Sequence, residues 1–350
     1  MRSYRIVEYG APLQLFQLEE PPPPSGTEVL LRVVSSGVCH TDLHIWEGGY
    51  NTGEGKMMRL ADRGQKLPHT MGHEIAGRVV AAGPQAGGVR PGDMRLVYPW
   101  QGCGECALCR ADREYLCPSA RYLGVFRPGG YADHVMIPHS RYLIDIGTLD
   151  PVQASLFACS GLTAYAALKK LGPQIDRPVL VIGAGGVGLM ALSILHAMGG
   201  AGAIVLDVDP KKRGAALEAG ALAAIDSAAP DAIAQIQEAA GGPLWSVVDF
   251  VGAPPTWSLA FGVAGKGATY VMVGLYGGEA TVALPTIPLR ALSIMGSFVG
   301  SRSELIELIE LAKRGNVSAV PVERRPLSTV NETLADLKQG RLIGRAVLEP

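Results

Sequence analysis

The chain has 350 residues, which exceeds what one hydrophobic core usually serves and predicts two domains. Apolar residues make up 48% and the formal net charge is −1, so bulk charge gives no case for binding nucleic acid or an anionic membrane. Because the N-terminus lacks a signal-peptide core and no apolar run is long enough to span a bilayer, we expect a cytoplasmic protein without nucleic-acid or membrane partners.

The first 153 residues are predicted to form a β-rich domain. Segments rich in valine and leucine occur at 28–39, 75–83 and 131–139, and glycine and proline separate them at short intervals. The four prolines at 21–24 form an extended connector. This pattern is typical of a small barrel or an open β-sandwich.

Residues 154–293 alternate between short buried strands and helical segments. The strands read VLVIG, AIVLDVD, SVVDFVG and ATYVMVG, with helical stretches such as KKRGAALEAG between them. This alternation predicts a doubly wound parallel sheet with helices on both faces. A strand and a strong helix follow, and we expect the tail, 294–350, to return to the first domain.

The segment VLVIGAGGVGLMAL contains the pattern G-x-G-x-x-G at Gly183, Gly185 and Gly188, with Gly186 and Val187 inside it. It follows a buried strand and opens a helix, which is the context that a dinucleotide-binding turn needs. Backbone can then approach a pyrophosphate at the helix N-terminus. The pattern predicts a nicotinamide dinucleotide site.

Asp207 follows Gly188 by 19 residues, at the end of the next strand. A carboxylate there accepts hydrogen bonds from the adenosine ribose hydroxyls and repels a 2′-phosphate, which favours NAD over NADP. Lys212 is well placed for the same ribose. The neighbouring cations Lys211 and Arg213 leave NADP open, because a cation there can serve a phosphate.

Four of the six cysteines lie within sixteen residues, with gaps of two, two and seven: Cys103, Cys106, Cys109 and Cys117. Four thiolates close a tetrahedron around zinc and leave no open position. Competing interpretations are an iron–sulfur cluster, a redox pair and disulfides, but the last gap is too long for a bacterial ferredoxin and a cytosolic protein rarely keeps disulfides. The spacing favours a structural zinc in a lobe at 99–120.

The other two cysteines, Cys39 and Cys159, combine with the histidine of the GHE segment, His73. Two thiolates and one imidazole make a three-ligand zinc site with an open fourth position, and their charge offsets that of the metal. Taken alone, Cys159 is more typical of a small buried hydrophobic residue, which is the commonest role of a free cysteine.

Together these motifs resemble the zinc-dependent medium-chain alcohol dehydrogenases over essentially the whole chain. The matching segments occur in the family's order and spacing: GVCHTDLH, GHE before GRVV, GCGECALCRADREYLC, CSGLTAY, GAGGVGL, VGSRSEL and the terminal GRAV. The PWQG segment and the long loop before GHE resemble the bacterial and archaeal tetrameric branch. The resemblance implies an α/β two-domain fold, with a GroES-like catalytic domain (1–153 and 294–350) and a Rossmann domain (154–293).

The resemblance also implies two zinc ions per subunit and NAD. It assigns Cys39, His73 and Cys159 to the catalytic zinc and the four clustered cysteines to the structural zinc. Asp42 would orient His73, as the partners of metal ligands usually do. Glu74 would either visit the metal during ligand exchange or form a buried ion pair.

Further roles follow from the same resemblance. Thr41 would accept the alcohol's hydrogen bond, and His44 would hand the proton to solvent. The expected nicotinamide contacts are Thr163, Val273 and Leu275, and the pyrophosphate candidates are Arg345 and Arg302. The substrate pocket is expected to be lined by bulky apolar side chains, from Trp46, Trp100, Leu123 and Phe298.

The expected activity is reversible oxidation of apolar or aromatic primary or secondary alcohols to aldehydes or ketones, by hydride transfer to NAD. The alternatives are a polyol-type zinc dehydrogenase, although that group commonly has glutamate where Cys159 stands, and a non-catalytic zinc- and nucleotide-binding sensor. A homotetramer is expected by resemblance, with a dimer as the alternative. The segment 50–68 is expected to form either a lid or a subunit contact.

Overall fold

A computed structural model describes all residues, 1–350. The strands of the N-terminal half are β1 Arg2–Ile6, β2 Gln14–Gln17, β3 Val29–Val38, β4 Gly49–Asn51, β5 Met57–Arg59, β6 His69–Thr70, β7 Glu74–Ala82, β8 Met94–Val97, β9 His134–Ile137 and β10 Leu143–Asp145. Those of the C-terminal half are β11 Val179–Ile182, β12 Ala203–Leu206, β13 Ala223–Ile225, β14 Leu244–Asp249, β15 Ala264–Met272, β16 Ser293–Gly296, β17 Val322–Pro326 and β18 Arg345–Glu349.

The helices are fewer and concentrate in the second half of the chain. They are α1 His40–Glu47, α2 Ala107–Arg110, α3 Pro151–Leu156, α4 Leu162–Lys169, α5 Gly186–Ala197, α6 Pro210–Glu218, α7 Ala232–Ala240, α8 Pro254–Val263, α9 Thr286–Leu289, α10 Arg302–Lys313 and α11 Val330–Lys338. A π-helical segment, Phe157–Gly161, joins α3 to α4. No helix combines the length and apolar character needed to cross a membrane.

The predicted β-rich domain is built on a seven-stranded sheet in the order β10-β8-β7-β3-β18-β17, with β9 also paired to β3. Its longest strand, β3, pairs antiparallel with β7, β9 and β18. Strand β18 comes from the C-terminus, where Ala346 lies opposite Val38. The tail therefore contributes a strand to the sheet of the N-terminal half.

The second sheet has six parallel strands in the order β13-β12-β11-β14-β15-β16. Alternate residues of β11 serve different faces, since Val179 packs into the largest core cluster while Leu180 packs into a separate one. Each face carries helices, as the alternating sequence pattern predicts. The strand order reverses between β11 and β14, where open α/β sheets bind ligands at the carboxyl ends of their strands.

The two domains share one hydrophobic core cluster, which includes residues of β3, the helical segment 151–169, β11 and α10. Hydrogen bonds also cross between them: the Trp100 indole N–H donates to the Ala158 carbonyl at 3.0 Å, and the Glu54 N–H donates to the Glu279 carboxylate. The predicted boundaries at 153/154 and 293/294 fall inside α3 and β16, because each of these elements continues across the division. The segment 50–68 contains the short β4–β5 hairpin, whose turn holds Glu54.

Candidate active site

The structure brings Cys39, His73, Glu74 and Cys159 together from three parts of the chain. Their ligand atoms all lie within 4.8 Å of one another, and all four residues are buried. Cys39 stands between β3 and α1, the His73–Glu74 pair stands where β7 begins, and Cys159 lies in the π-helical segment. Such segments often occur at functional sites because they displace a side chain from regular helical spacing.

The cluster is already arranged as a polar network. Cys39 Sγ lies 3.1 Å from His73 Nε2, and His73 Nδ1 lies 3.2 Å from Asp42 Oδ1. The other Asp42 oxygen accepts the Cys39 N–H at 2.9 Å. Burial opposes ionisation of the Cys39 thiol, but the hydrogen bond from Cys159 and the imidazole of His73 outweigh it and lower its pKa. Asp42 thus contacts His73 as expected of the partner that fixes a metal ligand's ring.

The donor chemistry of this cluster fits zinc. Two thiols that form no disulfide, one imidazole and one carboxylate converge in a buried place, and thiolate with imidazole is a set that zinc prefers. Three of these donors can hold the ion while one position stays open for substrate.

Glu74 is held by a buried ion pair. Its carboxylate pairs with the Arg345 guanidinium and accepts the Ser160 N–H at 3.0 Å. Burial raises the pKa of Glu74 to about 7, although the charge of Arg345 opposes this shift. Glu74 therefore forms the buried ion pair that was one of its two predicted roles. It also borders the metal cluster, and its visit to the metal during ligand exchange stays a prediction.

Arg345 lies where the metal cluster meets the glycine-rich turn. It is 4% exposed and donates to the Val38 carbonyl at 2.9 Å, while its aliphatic part lies against Gly186. Its Nε is buried without a hydrogen-bond partner. The pyrophosphate role of Arg345 stays a prediction, and Arg302, the other candidate, begins α10 and is half-buried.

The second cluster consists of the four thiols of Cys103, Cys106, Cys109 and Cys117. The Sγ–Sγ distance is 3.4 Å between Cys106 and Cys109, 3.8 Å between Cys103 and Cys109, and 3.9 Å between Cys106 and Cys117. A tetrahedron with zinc–sulfur bonds of about 2.3 Å has edges of about 3.8 Å, so these thiols are spaced for one zinc ion. Hydrogen bonds from the N–H groups of Glu105 and Cys106 lower the pKa of Cys103 to about 6, which favours the thiolate that zinc binds.

A buried carboxylate ties this lobe to the catalytic domain. Glu114 accepts the Gly102 N–H at 3.0 Å and the Tyr142 hydroxyl at 2.7 Å, and it pairs with Arg141 at 3.0 Å. All four cysteines are used within the lobe, and no fifth donor stands among them. The closed donor set supports a structural rather than a catalytic ion.

The glycine-rich turn has the backbone geometry that its sequence predicts. Gly183 has φ +96°, and a Cβ at Gly188 would overlap the Gly183 carbonyl oxygen. Gly185 precedes α5 and has open space beside it, whereas Val187 is half-buried within the first turn of the helix. The open side of the turn faces the N-terminus of α5, where a pyrophosphate is favoured.

Asp207 lies at the end of β12 and already contacts this turn. Its carboxylate accepts the Ala184 N–H at 2.8 Å and the Asp209 N–H at 2.9 Å. Arg213 donates to the Asp207 carbonyl and pairs with Asp226, so its charge is partly used within the domain. Lys212 is half-buried on α6.

The expected relay residues lie on or near α1. The Thr41 N–H donates to Cys39 Sγ at 3.3 Å, which places Thr41 beside the metal cluster. The His44 ring lies 4.7 Å from the Tyr50 ring, and burial lowers the pKa of His44.

The expected nicotinamide contacts differ in exposure: Thr163 is buried in α4, Val273 is half-buried, and Leu275 is 50% exposed.

Two of the four expected pocket residues, Trp100 and Phe298, lie together near His73. The Trp100 ring lies 5.4 Å from the His73 ring and 5.9 Å from that of Phe298, and Leu123 is buried in the same core cluster as Trp100. The structure does not bring Trp46 to this group. Its indole donates to the Ala11 carbonyl at 2.6 Å, and Lys338 lies over its ring.

Sequence reasoning missed three residues of the site: Tyr50, Tyr122 and Ser160. The Tyr50 ring lies against the His44 ring at an interplanar angle of 36°, the Tyr122 ring lies 5.4 Å from that of Trp100, and Ser160 forms hydrogen bonds with both Glu74 and Arg345. The signal for Tyr50 was the preceding glycine pair, since Gly48 has φ +88° and lets the chain fold back after α1.

Comparison with known proteins agrees with this architecture. Residues 25–147 match the alcohol dehydrogenase GroES-like domain, and residues 186–314 match the zinc-binding dehydrogenase domain. The chain is 37% identical to an NAD-dependent alcohol dehydrogenase of Sulfurisphaera tokodaii and 38% identical to one of Saccharolobus solfataricus, each covering 100% of both chains. A solved alcohol dehydrogenase from Aeropyrum pernix superposes with a TM-score of 0.89 at 31% identity, over the full length of both chains. The chain belongs to the zinc-dependent medium-chain alcohol dehydrogenase family.

Proposed function

We propose that this NAD-dependent zinc alcohol dehydrogenase reversibly oxidises apolar or aromatic primary or secondary alcohols to aldehydes or ketones. The observation that carries the proposal is the buried group of Cys39, His73 and Cys159, which is linked to the glycine-rich turn through Arg345, since Arg345 pairs with Glu74 of the cluster and packs against Gly186. Metal ligands and coenzyme turn thus meet in one place. The NAD dependence of the S. tokodaii and S. solfataricus relatives supports the same coenzyme.

Each member of the cluster has a distinct role in this proposal. When bound, zinc supplies a Lewis acid that lowers the pKa of the alcohol, and NAD supplies the hydride acceptor. Cys39, His73 and Cys159 hold the zinc, and Asp42 keeps the His73 ring in the orientation that presents Nε2 to the cluster. Glu74, paired with Arg345, limits the negative charge around the site.

The proton has a route to solvent along α1. The Thr41 hydroxyl accepts the alcohol's hydrogen bond and, as it takes that proton, releases its own proton into the relay, from which His44 transfers a proton to solvent. Because burial lowers the pKa of His44, its imidazole is neutral near pH 7 and can accept a proton there.

The substrate preference follows from the aromatic wall near His73. Trp100, Tyr122 and Phe298 have ring centroids 5.4 to 6.5 Å apart and present apolar surface. These contacts offer few hydrogen-bond partners to the several hydroxyls of a sugar, so apolar and aromatic alcohols are preferred.

The test is NADH formation by the zinc-loaded protein with a panel of alcohols that varies chain length, branching and aromatic groups, and that includes polyols. We expect the largest kcat/KM for apolar or aromatic alcohols. A preference for polyols would reassign the protein to the polyol-type dehydrogenases, and binding of NADH without turnover of any alcohol would support a non-catalytic sensor.

We also propose a homotetramer, with a dimer as the alternative. The edge strand β16 and the segment before it expose apolar side chains, with Leu284 74%, Leu289 76% and Ile294 39% exposed. Exposed apolar edges of this kind are usually covered by another chain. Sedimentation equilibrium tests this proposal, and a monomer at micromolar concentration would contradict it.

A further inference from the structure

Asp249 is a buried carboxylate that the proposed chemistry does not use. It ends β14, has no exposed surface and is a neighbour of β11, whose following turn carries the glycine motif. The strand order reverses between these two strands, so their carboxyl ends border the coenzyme crevice. On the β12 side Asp207 is the residue expected to bind the adenosine ribose, which leaves the β14 and β15 side for the nicotinamide half.

The carboxylate of Asp249 accepts four hydrogen bonds. One oxygen accepts the N–H groups of Val251 at 2.8 Å and Gly252 at 2.9 Å, which fixes the turn that follows β14. The other accepts the Thr256 hydroxyl at 2.8 Å, at the start of α8, and the Tyr270 hydroxyl at 2.7 Å, on β15. One anion therefore joins a turn, a helix and the next strand.

The main chain of Asp249 also holds the turn after β15 through hydrogen bonds. Its carbonyl accepts the N–H groups of Val273 at 2.9 Å and Gly274 at 3.0 Å. The two turns also touch directly, because a Cβ at Gly252 would overlap the Gly274 carbonyl. A change in the turn after β14 must therefore displace the turn that holds Val273.

We propose that Asp249 is a positioning residue that holds the nicotinamide half of the coenzyme site in its binding geometry. This inference rests on the proposed function, since it uses the expected contacts of Val273 and Leu275 with the nicotinamide. Asp249 acts through the two turns and touches no reacting atom. An ionised carboxylate suits this place because all four of its partners donate.

The experiment compares two ligands, NADH and ADP-ribose, which lacks the nicotinamide. In Asp249→Ala the four donors lose their acceptor, and we expect the Kd for NADH to rise about tenfold or more while that for ADP-ribose stays within about twofold. Asp249→Asn keeps an acceptor for the two turn N–H groups but not for both hydroxyls, so we expect a rise of about threefold for NADH. NADH fluorescence and calorimetry with ADP-ribose give the two constants.

Steady-state kinetics adds a second readout. The KM for NAD should rise in Asp249→Asn and rise further in Asp249→Ala. The KM for the alcohol should change less in both variants. Ser246→Ala is the matched control, since Ser246 is buried on the same strand but donates to the Gln174 carbonyl, away from the coenzyme edge. It should leave both ligand constants unchanged.

Equal weakening of NADH and ADP-ribose in the Asp249 variants would show a general structural role and overturn the proposal. If Asp249→Ala does not fold, Asp249→Asn decides, and wild-type NADH affinity in that variant overturns it. Asp207→Ala tests the proposed coenzyme site separately, because it should weaken both ligands. If Asp207→Ala changes neither ligand, the proposed coenzyme site fails, whatever the Asp249 variants show.

Discussion

Replacing Arg345 with methionine should strongly destabilise the protein. Arg345 is 4% exposed, and its partner Glu74 has no exposed surface, so the variant leaves a buried carboxylate without its cation. The Val38 carbonyl loses its donor as well. Breaking a buried pair from one side typically costs about 3–5 kcal/mol, and we expect a loss in the free energy of unfolding of that size.

The double variant Arg345→Met with Glu74→Gln removes both charges. Glutamine can still accept from Ser160, so we expect the double variant to lose about 1–2 kcal/mol, less than Arg345→Met alone. The energetic coupling should exceed about 2 kcal/mol. Urea unfolding, followed by tryptophan fluorescence, gives the free energy of unfolding of the four zinc-loaded proteins in this double-mutant cycle: wild type, Arg345→Met, Glu74→Gln and the double variant.

The coupling should also depend on pH. The folded-state pKa of Glu74, about 7, lies above its ordinary value of 4.5, so the stability that protonation of Glu74 contributes is full below 4.5 and is lost as pH rises through 7. The pair is therefore fully charged above about pH 8, where the coupling should be largest. Single-variant losses that simply add, at every pH, would refute this account of the ion pair.

Three further predictions concern the structural zinc, the coenzyme turn and the relay. Cys103→Ser should lose one zinc per subunit and lower the thermal midpoint while turnover at low temperature persists, and unchanged metal content would contradict the second site. Gly188→Ala should raise the Kd for NADH about tenfold or more, because its Cβ overlaps the Gly183 carbonyl, whereas Gly214→Ala, with open space on α6, should leave it unchanged. We expect wild-type turnover to fall as pH drops through the lowered pKa of His44, below 6.5, and His44→Gln should abolish this fall; an unaltered pH–rate profile would remove His44 from the relay.

Sequence pattern alone predicts most of the fold, because buried strands and glycine turns leave periodic signals. The segments at 28–39 and 75–83 became β3 and β7, and the alternation after residue 154 became the parallel sheet. The boundary after residue 293 illustrates the limit. Ser293 begins β16, and its pairing with Thr269 on β15 depends on tertiary structure that a local pattern does not contain.

The four clustered cysteines were predictable from their spacing, and the family resemblance implied Cys39, His73 and Cys159, but the surroundings of these ligands were not predictable. Trp46 and His44 are two residues apart on α1, so their side chains point about 160° apart around the helix axis and cannot face the same site. The Arg345–Glu74 pair depends on sheet order, since β18 and β7 flank the same end of β3. The separation of Arg345 and Glu74 along the chain does not indicate that the two residues are in contact.

The most direct test of the central assignment is Cys159→Ser, with zinc per subunit and NADH formation measured on the same preparation. We predict the loss of about one of two zinc ions and abolished turnover with the fold intact. Cys103→Ser is the matched control, because it removes the other ion and leaves low-temperature turnover. If Cys159→Ser keeps both zinc ions and wild-type turnover, the catalytic site lies elsewhere in the molecule.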